Sequence, residues 1–294
     1  MKTIGKILLF MLTMVLTGFC RKDETNPEVT IPDGNFLDAL IELGVDTNGD
    51  GIISPEEAGA VKYLNLNGKS ISDMTGIQAF VNLEVLYCIG NKLATLDLSK
   101  NIALIELNCG SAQLTALDLS NNTALECLFC SFNQISNLDI SQCTVLASLW
   151  CSDNRLTSLD VAENTALRCL YCNNNALTGL DVSNNTALIE FSCMNTQLTS
   201  LDVSNNTVLE WLYCSDNRLI QLDVSNNTFL TRLACRNNQL YTLDVSHNTA
   251  LVNLDLNDMP MLYKVCVWTM PFPPDGVTVY TSGSPNVYFS TDCN

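Results

Sequence analysis

Residues 209–229 read LEWLYCSDNRLIQLDVSNNTF, and this stretch decides the fold because its pattern recurs along the chain every 21 residues. A strict period of this length is typical of a solenoid, in which each repeat is one coil that buries its apolar side against its neighbours. The clearest marker of the period is a set of eight cysteines: Cys88, Cys109, Cys130, Cys151, Cys172, Cys193, Cys214 and Cys235.

The even spacing of these cysteines argues against a disulfide framework. Equivalent residues on successive coils of a parallel solenoid lie roughly 4.8 Å apart, with their side chains pointing the same way. A disulfide needs Cβ atoms that converge to about 3.8 Å. We therefore expect a cysteine ladder, in which the eight thiols are stacked, reduced and buried as small hydrophobic groups.

Each coil is nearly its own duplicate. Leu212 and Cys214 alternate with an outward residue, and Leu222 and Val224 repeat that alternation ten residues later. Alternation places both members of a pair on one side of a strand. The pattern predicts a mainly β fold with two parallel sheets back to back, one with long strands and one with short strands.

The order of leucine, cysteine and asparagine in each coil resembles the leucine-rich repeat family, whose core pattern is L-x-x-L-x-L-x-x-N/C-x-L. The match runs from residue 83 to about residue 256, and a fainter coil around Leu64 resembles the opening repeat of internalin-type proteins. The resemblance implies a right-handed leucine-rich repeat solenoid. One file of asparagines is expected to bond the backbone of adjacent coils. Its members are Asn91, Asn133, Asn154, Asn175, Asn217 and Asn238.

Residues 1–19 have the pattern of a signal peptide, because two lysines precede an apolar run that is too short to span a bilayer. The next residues resemble a bacterial lipobox, which implies that Cys20 is lipidated. The acidic run that follows resembles the export signal of bacteroidete-type lipoproteins. We expect a lipoprotein on the outer face of the outer membrane, with residues 20–30 as its lipidated cysteine and tether. The alternative is ordinary secretion with Cys20 as a free thiol.

The chain is acidic, with 31 acidic and 14 basic residues and a formal net charge of −17. This charge argues against nucleic-acid binding and against docking on anionic lipid. Part of the acidity is periodic, and we consider two explanations: local hydrogen bonding to the turn that follows, or a file of weakly held cations. The periodic residues are Asp97, Asp118, Asp139, Asp160, Asp181, Asp202, Asp223 and Asp244.

The segment 46–57 satisfies the pattern D-x-[DN]-x-[DN]-G-x₅-E of an EF-hand calcium loop. Oxygen donors at this spacing suit a hard cation, and the glycine allows the sharp turn around it. A single loop of this kind resembles dockerin-like loops and implies a structural calcium. The alternative is a loop that matches the pattern without binding the ion. The predicted ligands are Asp46, Asn48, Asp50, Ile52 through its carbonyl, Ser54 and Glu57.

The outward strand position before the ladder cysteine carries aromatic residues in several coils. Exposed aromatic side chains with polar rims are typical of surfaces that bind proteins or sugars. The alternative is that strand surfaces favour aromatic residues, which then stack on one another. The candidate ligand-binding residues on this concave face are Tyr87, Phe129, Trp150, Tyr171, Trp211 and Tyr213, with Phe132 beside them and Glu106, Glu190, Arg168 and Arg232 at the rim.

The C-terminal segment is rich in proline and predicts a β cap over the open end of the solenoid. Its Cys266 and Cys293 form the one plausible disulfide of an exported chain. The predicted organisation is a signal peptide (1–19), a lipidated cysteine and tether (20–30), a helical cap with the EF-hand-like loop (31–62), the solenoid (63–257) and the C-terminal cap (258–294).

The sequence contains no pattern typical of an enzyme. Its one histidine, His247, occupies a turn position that asparagine holds in other coils, and no phosphate-binding loop or nucleophile elbow occurs. We expect a monomeric, non-enzymatic recognition module that binds a protein or carbohydrate, with one structural calcium and membrane contact only through its lipid. The alternative is a structural envelope or adhesion spacer without a specific ligand.

Overall fold

The computed structural model of the chain describes residues 28–293. Two helices stand at its N-terminal end, α1 (Gly34–Glu42) and α2 (Pro55–Ala60), followed by a 3₁₀ helix (Ile77–Ala79). Every strand has three residues. The strands are β1 (Tyr63–Asn65), β2 (Val85–Tyr87), β3 (Glu106–Asn108), β4 (Cys127–Phe129), β5 (Ser148–Trp150), β6 (Cys169–Tyr171), β7 (Glu190–Ser192), β8 (Trp211–Tyr213), β9 (Arg232–Ala234), β10 (Thr242–Asp244), β11 (Asn253–Asp255), β12 (Lys264–Cys266), β13 (Thr278–Tyr280) and β14 (Tyr288–Ser290).

Eleven strands form one parallel sheet in the order β1 to β9, β11 and β13. Neighbouring strands pair at the repeat period, so that Leu128 stands beside Leu149 and Leu149 beside Leu170. The middle residue of each strand from β1 to β11 is buried, because alternation along a strand turns it toward the core. The predicted fold is confirmed: the chain is a mainly β leucine-rich repeat solenoid.

The second sheet is smaller than the sequence pattern predicts. Among the described residues only β10, β12 and β14 form it, in parallel, at the C-terminal end. In the earlier coils the corresponding segment makes no ladder, and a bridge between Asp223 and Asp244 marks where pairing begins. Those coils are joined here by isolated backbone bonds, such as Arg218 N to Leu198 O at 2.8 Å. The prediction of long strands in one sheet was wrong, since the turns on either side leave room for three residues.

The cysteine ladder lies in the core as predicted. All eight side chains are fully buried, and none is bonded to another cysteine. Burial raises the pKa of every ladder thiol, to about 12 at Cys109, Cys172 and Cys214. The ladder therefore consists of protonated thiols that pack between the leucines as small apolar groups.

Buried asparagines close the turns on both edges of the coils. In the file predicted from the sequence, Asn217 donates to Cys193 O (2.8 Å) of the preceding coil and accepts from Leu198 N (2.9 Å). These bonds satisfy backbone groups that would otherwise be buried without a partner. A second file stands ten residues further along the coils, and each of its amides donates to two carbonyls of an earlier coil. Its members are Asn101, Asn122, Asn164, Asn185, Asn206, Asn227 and Asn248.

Cys143 fills the second asparagine file in the coil that lacks asparagine there. Its Sγ lies 3.9 Å from Leu119 O and 3.6 Å from Asn122 O, the carbonyls that correspond to those bonded by the asparagines of the file. The thiol is a weaker donor than an amide but satisfies the same acceptors. Cys143 is therefore a structural residue and not part of the cysteine ladder.

Asp33 fixes the N-terminal helix to the first coil. As the N-cap of α1 it accepts from Phe36 N (3.0 Å), and its other oxygen accepts from Ser72 N (2.8 Å) and Ser72 Oγ (2.7 Å). Partial burial opposes ionisation of the carboxyl, but these hydrogen bonds outweigh it and lower the pKa of Asp33. The buried face of the helix then packs on the solenoid, where the Phe36 and Phe80 ring centroids lie 6.5 Å apart.

Residues 258–293 contribute strands to both sheets, β12 and β14 to the smaller and β13 to the larger. A disulfide joins Cys266 to Cys293, with their Cα atoms 5.5 Å apart. Phe272 packs between Trp268 and Phe289, at ring-centroid distances of 5.2 Å and 4.9 Å. These aromatic contacts add apolar packing to the last coils of the solenoid.

The predicted signal peptide and the predicted lipidation site, Cys20, lie outside the described residues. Within residues 28–293 the longest helix is α1, with nine residues. No helix in this part of the chain is long and apolar enough to cross a membrane.

Candidate functional site

The outward residues of the larger sheet form a continuous surface along the solenoid, which we call the sheet face. Each strand presents its first and third residues there, because the middle residue points into the core. The third residues, in strand order, are Asn65, Tyr87, Asn108, Phe129, Trp150, Tyr171, Ser192, Tyr213, Ala234, Asp255 and Tyr280.

Three predicted residues make one contiguous aromatic patch, which consists of Phe129, Trp150 and Tyr171. The Phe129 and Trp150 centroids lie 5.6 Å apart with an interplanar angle of 62°, and those of Trp150 and Tyr171 lie 4.6 Å apart. Trp150, in the centre, keeps 41% of its surface exposed, while its two neighbours are half-buried. The patch therefore offers an apolar surface to solvent although its rings already pack on one another.

The aromatic patch lies outside a core that is complete without it. The leucines in the middle of the same strands, Leu128, Leu149 and Leu170, are fully buried beneath it. The cysteine ladder on the inner side of these strands is fully buried as well. The three rings are thus a surface addition to the repeat and not a requirement of its packing.

Two tyrosine hydroxyls on the sheet face donate to glutamates one strand further along. Tyr87 donates to Glu106 at 2.7 Å, and Tyr171 donates to Glu190. The hydrogen bond to Glu106 raises the pKa of Tyr87 to about 12, and burial together with Glu190 raises the pKa of Tyr171. Both phenols are held in place, and a carboxylate stands at each end of the aromatic patch.

The other predicted aromatic residues do not join the patch. Tyr87 is separated from it by Asn108 and packs edge-on against Tyr63, at a centroid distance of 5.7 Å. Buried Ser192 separates the patch from Tyr213. Trp211 is covered, because the Arg232 guanidinium lies 4.5 Å from its ring centroid and makes a cation–π contact.

Two cysteines outside the cysteine ladder lie on the sheet face. Cys127 and Cys169 are free, half-buried thiols at the first position of β4 and β6, beside the aromatic patch. Burial and neighbouring carboxylates raise the pKa of both, so they remain thiols at neutral pH. Each cysteine stands two residues before an outward aromatic residue of the same strand. Strand alternation therefore predicts from the sequence that these two cysteines also face outward.

Local hydrogen-bonded turns shape the first half of the loop 46–57. Its side-chain oxygens accept backbone N–H groups within the loop: Asp46 from Gly49 (2.7 Å) and Gly51 (2.9 Å), Asn48 from Asp50 (2.8 Å), and Asp50 from Ile52 (3.0 Å). Gly51 has a φ of 82°, a left-handed conformation that favours glycine. The donor set of the first half of the loop suits calcium in its chemistry.

Glu57 is engaged differently from a calcium ligand. One carboxylate oxygen accepts from Thr47 N (2.8 Å) and Thr47 Oγ1 (2.7 Å), and the other accepts from Ser54 N and Ser54 Oγ, both at 3.0 Å. These bonds from Ser54 and Thr47 lower the pKa of Glu57 to about 2 and occupy all four acceptor positions. Ser54 and Glu57 form the capping box of α2. Calcium binding through Glu57 therefore requires an exchange of some of these bonds.

Local hydrogen bonds account for the periodic aspartates. In all eight coils the carboxylate accepts the N–H of the residue two positions further on, at 2.8–3.0 Å. This is the turn geometry that aspartate commonly makes. Hydrogen bonds from the following serine lower the pKa of Asp97, Asp118, Asp139, Asp181, Asp202 and Asp223.

No family model matches the chain. Internalin J from Listeria monocytogenes serotype 4b (strain F2365) is 38% identical over 70 residues, which are 24% of this chain and 8% of that protein. The solved functional domain of InlJ from Listeria monocytogenes, which includes a cysteine ladder, matches with a TM-score of 0.74 at 33% identity over 80% of this chain. The match covers 56% of the InlJ structure, so this chain spans only part of these relatives.

Two further structures share the fold at 20% identity. Internalin InlF from Listeria monocytogenes strain 4b F2365 matches with a TM-score of 0.65, over 91% of this chain and 94% of InlF. The leucine-rich repeat ectodomain of the receptor kinase GASSHO1/SCHENGEN3 from Arabidopsis thaliana, in complex with CASPARIAN STRIP INTEGRITY FACTOR 2, matches with a TM-score of 0.66 over 79% of this chain and 34% of that one. The period, the parallel sheet and the similarity to InlJ show that this chain has the leucine-rich repeat fold and is similar to the cysteine-ladder domain of an internalin.

Proposed function

We propose that the chain is a non-enzymatic recognition module that binds a protein partner through the aromatic patch. The observation that carries this proposal is a contiguous, partly exposed group of three rings over a core that does not need them. Rigid aromatic side chains dominate binding hot spots, because they bring large contact areas at little cost in conformational entropy. The plant receptor ectodomain with this fold was solved in complex with CASPARIAN STRIP INTEGRITY FACTOR 2, which supports the proposal of a protein partner.

The surroundings of the patch specify the charge of the partner. Glu106 stands one strand before Phe129, and Glu190 stands one strand after Tyr171. The chain as a whole carries a net charge of −17. A partner with an apolar centre and basic residues at its rim would therefore be attracted and correctly oriented, whereas an acidic partner would be repelled.

The test is a binding measurement on the double variant Trp150→Ala/Tyr171→Ala. A partner is first captured from surface extracts on the immobilised chain and purified, and its affinity for parent and variant is then measured by calorimetry. We expect a loss of about 2 kcal/mol or more, roughly a 30-fold weaker Kd, because both rings are hot-spot residues. The melting temperature should stay close to that of the parent, because the leucines beneath the patch remain buried.

The matched control is Phe229→Ala, which removes an exposed ring from a turn outside the strands. This control should bind the partner as the parent does. If the double variant unfolds, the rings are packing elements and the alternative of stacked strand aromatics is correct. If it stays folded and keeps every interaction of the parent, the chain is better described as a spacer without a specific ligand on this face.

We propose further that the loop 46–57 binds one calcium ion. Support comes from the ligand pattern of the sequence and from the turns that already wrap the first half of the loop. A bound ion would neutralise the clustered carboxylates and tie the loop to the start of α2. The residues that would hold it are Asp46, Asn48, Asp50, the carbonyl of Ile52, Ser54 and Glu57.

Thermal unfolding with calcium and with chelator tests this second proposal. A ligand that binds the folded state alone stabilises it by about 2.7 kcal/mol at a hundredfold excess over its Kd. Glu57→Gln separates the two uses of this side chain, because glutamine can still complete a capping box but removes the charge that calcium requires. We expect the Gln variant to lose the response to calcium, and its chelator-treated stability to fall as well, because the amide NH₂ cannot accept the two hydrogen bonds that one carboxylate oxygen accepts. An identical melting temperature of the parent in calcium and chelator would contradict the proposal.

We also propose that the chain is exported and anchored at the bacterial surface through a lipid on Cys20. The basis is the signal-peptide and lipobox resemblance of the N-terminal sequence. Labelling the full chain in cells with a clickable fatty acid should mark the parent and not Cys20→Ser. A parent that is unlabelled and released into the medium would instead establish secretion.

A further inference from the structure

Three exposed tyrosines form a second aromatic surface, which we call the tyrosine ribbon: Tyr241, Tyr263 and Tyr288. Tyr241 and Tyr263 directly precede β10 and β12, and Tyr288 is the first residue of β14, so the three lie at the smaller sheet and not on the sheet face. Adjacent ring centroids lie 4.7 Å and 5.7 Å apart. Backbone bonds from Tyr263 N to Tyr241 O (3.1 Å) and from Tyr288 N to Tyr263 O (2.9 Å) join the three, although Tyr288 pairs with Lys264 in the strand register.

The ribbon is not required by the repeat. Its residues expose 59%, 37% and 48% of their surface, in chain order. The position that Tyr241 occupies is also exposed in the earlier coils. Six of these coils carry alanine, serine or threonine there, and the coil directly before Tyr241 carries isoleucine. Those residues are Ala94, Thr115, Ser136, Thr157, Thr178, Thr199 and Ile220. Six coils fold with a short side chain here, so the tyrosines serve something other than packing.

Polar groups stand directly beside the ribbon. A cavity of about 260 Å³ is lined by Tyr263 and by the polar residues Thr242, Asp244 and Lys264. The disulfide between Cys266 and Cys293 forms another part of its wall. Flat aromatic rings therefore adjoin a hydroxyl-bearing, an acidic and a basic residue, a combination that can contact both the faces and the hydroxyl edges of a sugar.

We propose that the tyrosine ribbon and this cavity bind a neutral polysaccharide chain. A pyranose ring has a flat face of C–H groups, which packs on an aromatic ring, and an edge of hydroxyls, which exchange hydrogen bonds with groups like those lining the cavity. An extended hexose chain advances by roughly the distance between neighbouring coils per sugar, so that successive rings of the ribbon meet successive sugars. The net charge of −17 disfavours an anionic polymer at the same place.

This surface is independent of the aromatic patch, so the two proposals can fail separately. The rings of the ribbon lie at the three-stranded sheet, and those of the patch belong to the eleven-stranded sheet. A sugar bound at the ribbon would leave Trp150 and its neighbours available to a protein. The chain would then attach to a glycan and recognise a protein at the same time.

The test is affinity electrophoresis of the protein through gels that contain a neutral polysaccharide. The neutral polymers are β-glucan, mannan, xylan and galactan, and polygalacturonate is the anionic comparison. Binding is then quantified by calorimetry with hexasaccharides of the polymer that retards it. The principal variants are Tyr263→Thr and Tyr241→Thr, which introduce the residue that the earlier coils carry. They should therefore fold, as a melting curve will verify.

We expect at least one neutral polymer to retard the parent, and Tyr263→Thr to weaken hexasaccharide binding at least tenfold. Tyr280→Ala is the matched control, because it removes a tyrosine of similar exposure (49%) from the last strand of the other sheet and should leave binding unchanged. Three results would overturn the proposal: no retardation by any neutral polymer, an equal loss in Tyr280→Ala, or a loss only in Trp150→Ala/Tyr171→Ala. The last result would move the sugar to the sheet face.

Discussion

Alkaline pH should unfold this protein, because the fold keeps eight buried thiols protonated at pH values at which the unfolded chain ionises them. The ladder cysteines are fully buried, and burial raises their pKa above the ordinary value of 9.0, to about 12 at Cys109, Cys172 and Cys214. In the unfolded chain the same thiols ionise near 9. A group whose pKa is raised by folding contributes stability that is complete below the unfolded pKa and is lost as the pH rises toward the folded pKa. The affected window therefore extends from about pH 9 to about pH 12.

The size of the effect follows from the difference between the folded and unfolded pKa values. For each thiol that stays protonated in the folded state, the free energy of unfolding falls by RT ln(1 + 10^(pH − 9)). This decrease is about 0.4 kcal/mol at pH 9 and about 1.4 kcal/mol at pH 10. Eight ladder thiols together lose about 3 kcal/mol at pH 9 and about 11 kcal/mol at pH 10. The free energy of unfolding of natural proteins is about 5–15 kcal/mol. We therefore expect cooperative unfolding near pH 10 at room temperature.

The assay is urea unfolding followed by circular dichroism, repeated at steps of pH between about 7 and 10.5 under nitrogen. The informative variant is Cys130→Ala/Cys151→Ala, which removes two of the eight thiols and should reduce the loss between pH 8 and pH 10 by about a quarter. The matched control is Leu149→Ala, which opens a cavity in the same coil but keeps all eight thiols. Its stability should be lower at every pH, with the same dependence on pH as the parent.

Two outcomes would refute this reasoning. A free energy of unfolding that stays constant from pH 8 to pH 10 would mean that the thiols are not held protonated by the fold. A pH dependence that is equal in the parent and in the double cysteine variant would mean that other groups, and not the ladder, produce the alkaline loss.

Three further predictions concern single structural features. At pH 7 the ladder thiols should resist iodoacetamide until urea is added, whereas half-buried Cys127 and Cys169 should react first; a native mass with four ladder disulfides would contradict the stacked-thiol description. Asp33→Ala should lower the free energy of unfolding by about 2 kcal/mol, because it removes an N-cap and charge-assisted bonds to Ser72; Asp33→Asn, which keeps the cap but cannot accept from Ser72, should lose less, and an Asn variant as stable as the parent would count against the bonds to the first coil. Cys143→Asn should be more stable than Cys143→Ala by about 1 kcal/mol or more in urea, because the amide completes the asparagine file; the reverse order would show that the carbonyls do not need a donor there.

The repeat period alone determined the solenoid. A coil that presents apolar residues at the same positions every 21 residues can bury them only against an equal neighbour, so the stacked architecture follows from the spacing. Strand alternation also determined that Leu212 and Cys214 face inward and that Tyr213 faces outward. The burial of the cysteine ladder needed no further information, because its position in each coil is the same.

Glu57 marks a limit of pattern matching. The calcium-loop pattern and the capping box both place a glutamate at this point, one as a metal ligand and one as the third residue of a helix that begins after Ser54. The two patterns overlap residue for residue, so the sequence cannot rank them. The hydrogen bonds from Thr47 and Ser54 show how the carboxylate is used in the described fold.

Only the tertiary structure decided which aromatic residues act together. Periodicity placed six candidates on one face, but rings touch only where adjacent strands both carry an aromatic residue. Ser192 interrupts the row and Arg232 covers Trp211, so three rings form the patch. The tyrosine ribbon was not visible in the sequence, because Tyr241, Tyr263 and Tyr288 are 22 and 25 residues apart and so depart from the period of 21. The pairing of β10, β12 and β14 brings their rings into contact, although Tyr288 stands opposite Lys264, one residue beyond Tyr263.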